Sequence, residues 1–286
     1  MNPLTTYASI SFATLCFSLA GAADYQVHKI AADLSKPPQV DADYWKGVPE
    51  AEVALMAQMI AKPKPDKAET EKVKVQIVHD GKYIAYRLRW ADREASEAGR
   101  LAEFSDAVAL EFPVLDNAVP PPIFMGGPKN PVHIFHWRAQ YQHDELVGKK
   151  TVKEIYPNLQ SDIYPNEFPD RGRLKPATQA ETETFSPAVA SGNPQASRKH
   201  AVDEMMAEGF GTSVVTAGGN SSGRGAWKDG EWTVVVARAI NCPGGSVLVE
   251  GEGSSFGLAV WQGGADEVGS RKSITMAWKP FKIEHD

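Results

Sequence analysis

The residue best suited to unusual chemistry is Met125, which stands in a proline- and glycine-rich stretch, residues 120–128 (PPPIFMGGP). Proline fixes φ and glycine tolerates positive φ, so this backbone can be held in one unusual path. One interpretation is a buried turn whose methionine fills a gap in the core. The other is a thioether presented to a haem iron, for which methionine is one of the few protein ligands.

A haem held by Met125 needs a second axial ligand, and four side chains further along the chain are candidates: His136, Lys199, His200 and Lys228. Lys228 stands in a glycine- and tryptophan-rich turn, residues 223–232 (GRGAWKDGEW), although a lysine before Asp-Gly is usually an exposed turn residue. The sequence contains no C-x-x-C-H motif, which excludes covalent c-type haem.

Histidine spacing offers a different chemistry, that of a zinc-dependent hydrolase. His133, His136, His143 and Glu145 are residue types that ligate zinc. On a strand, however, His133 and His136 differ by an odd number and face opposite sides, so they cannot chelate one ion. No nucleophile elbow, phosphate-binding loop or dinucleotide fingerprint is present either, so the sequence indicates no hydrolytic site.

The elements that must position these residues are mostly strands. Residues 69–90 alternate around an Asp-Gly turn and predict a β-hairpin. Residues 104–114 predict a strand with Val108, Leu110 and Phe112 on one face, and residues 132–139 predict the strand that follows the methionine loop.

The remaining patterns complete one all-β domain. Further strands are predicted at residues 232–240, 246–250, 255–262 and 273–279, and a short helix within residues 196–210. Short strands separated by Gly, Asn and Asp turns predict an antiparallel β-sandwich with long loops and one or two short helices. Residues 150–199 are proline-rich and lack periodicity, as in a surface loop or a docking segment.

Composition limits the partners and the compartment. The 286 residues carry a net charge of −6, which argues against nucleic acid or an anionic membrane surface. Residues 9–21 are apolar, shorter than a membrane span, and are followed by Ala22 and Ala23. They predict a signal peptide over residues 1–23 and a mature domain over residues 24–286, in which Cys242 is the single cysteine.

Several segments in chain order resemble one family, the haem b-binding γ subunit of exported molybdenum enzymes. These enzymes form the ethylbenzene dehydrogenase, dimethylsulfide dehydrogenase, selenate reductase and chlorate reductase group within the type II DMSO reductase family. The resemblance covers about residues 41–278. The segments that carry it are the Met125 loop with residues 130–137 (NPVHIFHW), residues 207–212 (AEGFGT), residues 225–234 (GAWKDGEWTV), and residues 256–263 (FGLAVWQG) with 269–273 (GSRKS).

The resemblance implies a cytochrome-domain-like antiparallel β-sandwich that holds one non-covalent haem b between a methionine and a lysine. It implies that Met125 is the methionine and Lys228 the lysine, with Lys199 or His136 as the next candidates. The residues that would form the apolar walls of the haem pocket are Phe124, Phe135 and Trp137.

The resemblance also implies a non-catalytic, periplasmic electron-transfer subunit without a membrane span. In such a heterotrimer an iron–sulfur β subunit joins it to a molybdopterin α subunit, and a soluble carrier such as cytochrome c exchanges its electrons. The rival interpretation is an exported carbohydrate-binding β-sandwich without haem, in which exposed Trp261 and Trp278 stack on sugar rings. Met125 discriminates between the two, because a sugar-binding module has no need of it.

Overall fold

A computed structural model describes residues 25–97, 100–114, 119–158, 190–191, 193, 200–216 and 219–283. The predicted signal peptide, residues 1–23, lies outside the described residues, as does most of the proline-rich segment. Among the helices within the described ranges, none combines the length and the apolar character needed to cross a bilayer.

The described chain is built almost entirely of strands. They are β1 (Tyr25–Lys29), β2 (Ala51–Ala54), β3 (Met56–Ala57), β4 (Lys72–His79), β5 (Tyr83–Ala91), β6 (Ala107–Pro113), β7 (Val132–Arg138), β8 (Val202–Ala207), β9 (Val214–Val215), β10 (Ser221–Lys228), β11 (Glu231–Ala239), β12 (Gly253–Trp261), β13 (Ser273–Ile274) and β14 (Lys279–Ile283). Two short helices follow β7, and they are α1 (Ala139–Leu146) and α2 (Val152–Ile155).

The strands form two sheets that share β12. The first sheet has the order β10-β11-β5-β4-β1-β14, with β2 also paired to β4. The second has the order β12-β6-β7-β8-β9, and β13 and β3 extend it beyond β12. Residues 253–256 of β12 pair with β14, whereas residues 257–261 pair with β6, so this strand passes from one sheet into the other.

Alternation along the strands decides which side chains fill the space between the sheets. Val108, Leu110 and Phe112 of β6 are buried in the core, on one face as predicted. Tyr86 and Leu88 of β5 meet them from the first sheet, and the rings of Tyr86 and Phe112 lie 5.6 Å apart between centroids. The prediction of an all-β sandwich is therefore confirmed.

Two details of the predicted architecture are corrected. The sandwich is not purely antiparallel, because β1 inserts between β14 and β4 and runs parallel to both. The short helix predicted within residues 196–210 is wrong for residues 202–207, which form β8 and pair with β7. For residues 202–207, hydrogen bonding and packing against β7 outweigh the helical preference of the local sequence. The predicted hairpin is present as β4 and β5.

The indole of Trp137 explains two glycines in β10. A Cβ on Gly223 would lie 2.8 Å from Trp137 Cδ1, and a Cβ on Gly225 would lie 2.5 Å from Trp137 Cζ2. Gln142 fixes the arrangement, since its Oε1 accepts a hydrogen bond from Trp137 Nε1 (3.3 Å) and its Nε2 donates to the Gly225 carbonyl (2.9 Å). Gly223 and Gly225 are therefore needed for the close packing of the Trp137 indole in the core.

A buried carboxyl group lies just after β5. Asp92 is 5% exposed, and its Oδ1 accepts a hydrogen bond from the Glu94 amide at 3.3 Å. Burial raises the pKa of Asp92 to about 7, and the negative charge of Asp106 acts in the same direction. Asp106, in contrast to Asp92, accepts three hydrogen bonds. They come from the Ser96 and Gly263 amides and from Trp232 Nε1.

The Asp92→Asn variant should change how stability depends on pH. The folded state holds the Asp92 proton up to about pH 7, whereas the unfolded chain releases it near the ordinary value of 3.8. Asp92 therefore contributes a fall in the free energy of unfolding as pH rises through that window. The asparagine variant lacks this contribution, so its stability relative to wild type should increase from pH 4 to pH 7. Urea unfolding across this range measures the difference, and parallel profiles would contradict the assignment.

Candidate functional site

The outer face of the second sheet, which faces away from the core, carries a cavity of ≈ 400 Å³. Ligand pockets usually measure about 300–1,000 Å³. Alternation places small residues on the cavity floor, namely Ala109 of β6 with Gly257 and Ala259 of β12. Ile134 and Trp261 rise beside this floor. A floor of small side chains between large apolar ones is suited to a flat ligand.

Met125 reaches the cavity from the loop between β6 and β7. Its φ is +68°, a region that residues other than glycine adopt rarely, so the predicted unusual backbone path is present. Hydrogen bonds fix it on both sides. Its amide donates to Glu111 Oε1 (3.3 Å), and its carbonyl accepts from the Gly209 amide (2.7 Å).

The residues around Met125 explain the glycine and proline pattern of the loop. Gly126 has a φ of +73°, and a Cβ on it would lie 2.8 Å from the Asn130 carbonyl oxygen and 3.0 Å from that of Ala207. Trp278 Nε1 donates to the Pro121 carbonyl (2.8 Å), which ties the loop to the segment after β13. The backbone is therefore held where the thioether enters the cavity.

Lys272 lines the same cavity from the segment between β12 and β13. Its amine stands 4.8 Å from the centroid of the Trp261 ring. Burial lowers the pKa of Lys272, while Glu111, which also lines the cavity, acts in the opposite direction. Burial in turn raises the pKa of Glu111 to about 8, against the influence of Lys272 and the Met125 amide. The cavity thus holds a thioether, an amine and a carboxyl group.

Sequence reasoning missed Lys272, although its segment carried part of the family resemblance. A lysine that precedes a short polar strand resembles an ordinary surface residue. The available signal was its position inside residues 269–273 (GSRKS), in the segment that follows β12, the strand that provides Gly257 and Ala259 of the cavity floor.

Of the three predicted wall residues, the structure brings one to the cavity. Phe124 lines it. Phe135 and Trp137 are fully buried on the opposite face of β7, in the core between the sheets. Strand alternation places these two residues in the core, and it turns Ile134 and His136 of β7 toward the cavity.

Lys228 and Met125 are not brought together. Lys228 is an exposed residue at the end of β10, paired with Glu231 across a hairpin turn at the edge of the first sheet. The cavity lies on the second sheet, and Lys228 is not part of its lining. Of the other candidates, His200 is exposed and Lys199 lies outside the described residues.

His136 forms a wall of the cavity. Its ring packs against that of Trp261 with centroids 4.8 Å apart, and its Nε2 accepts a hydrogen bond from Arg138 Nε at 3.4 Å. The stacking against Trp261 and the hydrogen bond at Nε2 make the His136 ring part of the cavity wall.

The histidines do not converge. His133 lies on the core side of β7, where its Nδ1 is 3.2 Å from both the amide nitrogen and the hydroxyl oxygen of Ser246, and burial lowers its pKa to about 4. Its predicted separation from His136 is confirmed. Within the described ranges, no group of three His, Cys, Asp or Glu residues is arranged to hold a metal ion.

The aromatic residues of the sugar-binding interpretation are not displayed on the surface. Trp261 is only 8% exposed, and its Nε1 donates to the Gly269 carbonyl at 3.0 Å. Trp278 is half-buried, packs against the residues beside the cavity and is tied to Pro121. Neither ring offers an open platform for a sugar.

Comparison with family models shows the family to which the chain belongs, and two named relatives have similar sequences. The sequence model of the ethylbenzene dehydrogenase family matches residues 42–273. The chain is 24% identical over 249 residues to a Haloferax mediterranei protein provisionally named as the respiratory nitrate reductase haem subunit, across 86% of this chain and 68% of that protein. It is 32% identical over 126 residues to the chlorate reductase subunit gamma of Ideonella dechloratans, across 43% of this chain and 52% of that protein.

The solved structures found by comparison resemble this chain only weakly. A family 9 carbohydrate-binding module from Caldicellulosiruptor kristjanssonii, in complex with glucose, superposes with a TM-score of 0.45 at 8% identity, covering 92% of this chain and 96% of that one. A likeness of this size carries no inference about ligand or activity.

The Gly126→Ala variant should disturb the methionine loop. Alanine at positive φ is strained, and its Cβ would press against two carbonyl oxygens, so the free energy of unfolding should fall by more than about 1 kcal/mol. Urea unfolding measures the loss, and the NMR shift of the Met125 methyl group should move with it. Gly127→Ala is the matched control, since its Cβ would make only ordinary 3.5 Å contacts with Pro122. Equal effects of the two substitutions would contradict this account.

Proposed function

We propose, because the chain belongs to the ethylbenzene dehydrogenase family, that it is the haem-carrying electron-transfer subunit of an exported molybdenum enzyme. It relays single electrons between an iron–sulfur subunit and a soluble periplasmic carrier such as cytochrome c, and it performs no substrate chemistry. The names of its relatives, a nitrate reductase haem subunit and a chlorate reductase gamma subunit, support this proposal.

The observation that carries the proposal is that Met125 and Lys272 line one cavity. A thioether and an amine are both able to ligate haem iron, and the small residues on the cavity floor leave space for a flat macrocycle. Because the chain has no C-x-x-C-H motif, the haem is of the non-covalent b type. When bound, this group supplies reversible one-electron chemistry.

Lys272 replaces Lys228 in this assignment of the second ligand. An axial ligand must share the cavity with Met125, and Lys272 does so while Lys228 lies on the other sheet. Lysine ligates iron only as the neutral amine, and an enclosed position favours that form. Phe124, Ile134 and Trp261 keep water away from the same space, and a methionine sulfur favours the reduced iron.

An exposed apolar rim beside the cavity supports docking of the iron–sulfur subunit. Its members are Met56, Met59, Ile60 and Met276, each about half exposed or more. Met56 pairs with Ile274, which lines the cavity. The buried side chain of Gln58 accepts hydrogen bonds from the Ile60 and Ala61 amides and so fixes the loop. Exposed apolar side chains of this kind mark interaction sites.

Haem reconstitution tests the proposed function directly. The purified chain, mixed with iron protoporphyrin IX, should show a Soret band and the visible spectrum of a low-spin haem. A chain that is folded by circular dichroism yet shows no Soret band would refute the proposal.

The Lys272→Ala variant should lose the low-spin spectrum, because the sixth ligand is removed. Absorption and electron paramagnetic resonance spectra of the reconstituted protein measure the change of spin state. Lys228→Ala is the matched control and should keep the wild-type spectrum. If Lys228→Ala lost the low-spin signal and Lys272→Ala kept it, the assignment of Lys272 would be wrong and Lys228 would be the second ligand.

The Met125→Ala variant should either lose haem or hold it at a lower midpoint potential, because the thioether stabilises the reduced iron. Spectroelectrochemical titration measures the potential. Met205→Ala serves as control, since Met205 also lines the cavity but lies on β8. A potential that fell only in the Met205 variant would show that the wrong methionine had been assigned.

A further inference from the structure

The two ends of the cavity carry different ionisable groups, a carboxyl group at one end and a guanidinium at the other. Glu111 and Ala107 both lie on the cavity side of β6, four positions apart, which is about 13 Å along a strand. Arg138 pairs directly with Ala107, so it belongs to the end remote from Glu111. Both side chains line the cavity. The guanidinium of Arg138 therefore attracts an anionic group on a bound ligand at its end of the cavity, whereas the carboxyl group of Glu111 offers such a group no partner of opposite charge.

Arg138 is held in place by neighbours that leave its terminal nitrogens available. Its guanidinium lies 5.0 Å from the centroid of the Tyr141 ring, and its Nε donates to His136 Nε2 at 3.4 Å. Neither of these partners is a carboxylate. A guanidinium fixed by stacking and by one hydrogen bond retains two Nη groups that can bind a carboxylate in a bidentate manner.

We propose that Arg138 binds a carboxylate of the planar cofactor, that is, a haem propionate, and so determines which edge of the porphyrin lies at this end of the cavity. This inference rests on the proposed function. A propionate drawn into a largely apolar cavity needs a partner of opposite charge. Under the proposed function Lys272 would hold the iron, and Lys62, which also lines the cavity, is a flexible point charge without the fork of a guanidinium.

A chemically modified cofactor tests this inference. The full chain is loaded either with iron protoporphyrin IX or with its dimethyl ester, whose carboxylates are blocked, and the rate of transfer to excess apomyoglobin is followed at the Soret band. Wild type should release the ester at least about tenfold faster than the free acid, as expected when one charged hydrogen-bonded pair is lost. In Arg138→Gln the two rates should agree within about twofold, because the residue that distinguishes the cofactors is gone.

Arg271→Gln is the matched control. This arginine adjoins Lys272 but stacks over Phe104 at 5.9 Å and is not part of the cavity lining, so the variant should keep the wild-type ratio of rates. If Arg138→Gln does not fold, Arg138→Lys replaces it and should show a reduced ratio, since lysine cannot bind a carboxylate bidentately.

The outcomes separate this inference from the proposed function. A ratio that is unchanged in the Arg138 variant, or a release that speeds up equally for both cofactors, overturns the role of Arg138. Wild type that binds both cofactors without discrimination overturns it as well and leaves the haem assignment intact. Wild type that binds neither cofactor refutes the proposed function itself.

Discussion

The site depends on the alternation of side chains across the second sheet. Each strand of that sheet turns one set of residues into the core and the other set toward the cavity, so Phe135 is buried in the core and His136 faces the cavity. The small residues Ala109 and Ala259 occur on the cavity side. A register shift of one residue would exchange the two faces, replacing a flat floor with large core side chains. The core and the cavity are thus fixed by the same pairing.

The cavity also contains groups whose conformation or burial lowers the stability of the folded protein. Met125 adopts a backbone conformation that costs an L-residue roughly 1–2 kcal/mol. Burial lowers the pKa of Lys272 and raises the pKa of Glu111, so the charged form of each group is less stable here than in water, which opposes folding. Hydrogen bonds to the Met125 backbone and the contact between Lys272 and Trp261 hold these groups in place. Such costs concentrated in one place are typical of functional sites.

The sequence alone predicted those features of the fold that depend on side-chain alternation within one strand or on the residues of one turn. The hairpin of β4 and β5, the buried face of β6, the separation of His133 from His136 and the unusual backbone at Met125 all follow from short segments. Lys272 does not, because its position in the cavity depends on residues that are distant in sequence, among them Glu111 and Met125. Likewise, Phe135 and Trp137 sit next to the methionine loop in sequence, yet strand alternation sends them to the other side. Residues 202–207 became a strand because β7 offered an edge to pair with.

The passage of β12 between the sheets ties the cavity to the last strand of the described chain. Residues 257–261 provide part of the floor, while residues 253–256 are hydrogen-bonded to β14, which in turn pairs with β1. Gly257 and Ala259 of the floor and Lys272 all lie within residues 253–283, so the cavity needs this last part of the described chain. The cavity is therefore complete only when the C-terminal strands have paired, and the proposed haem would need the folded second sheet to receive it.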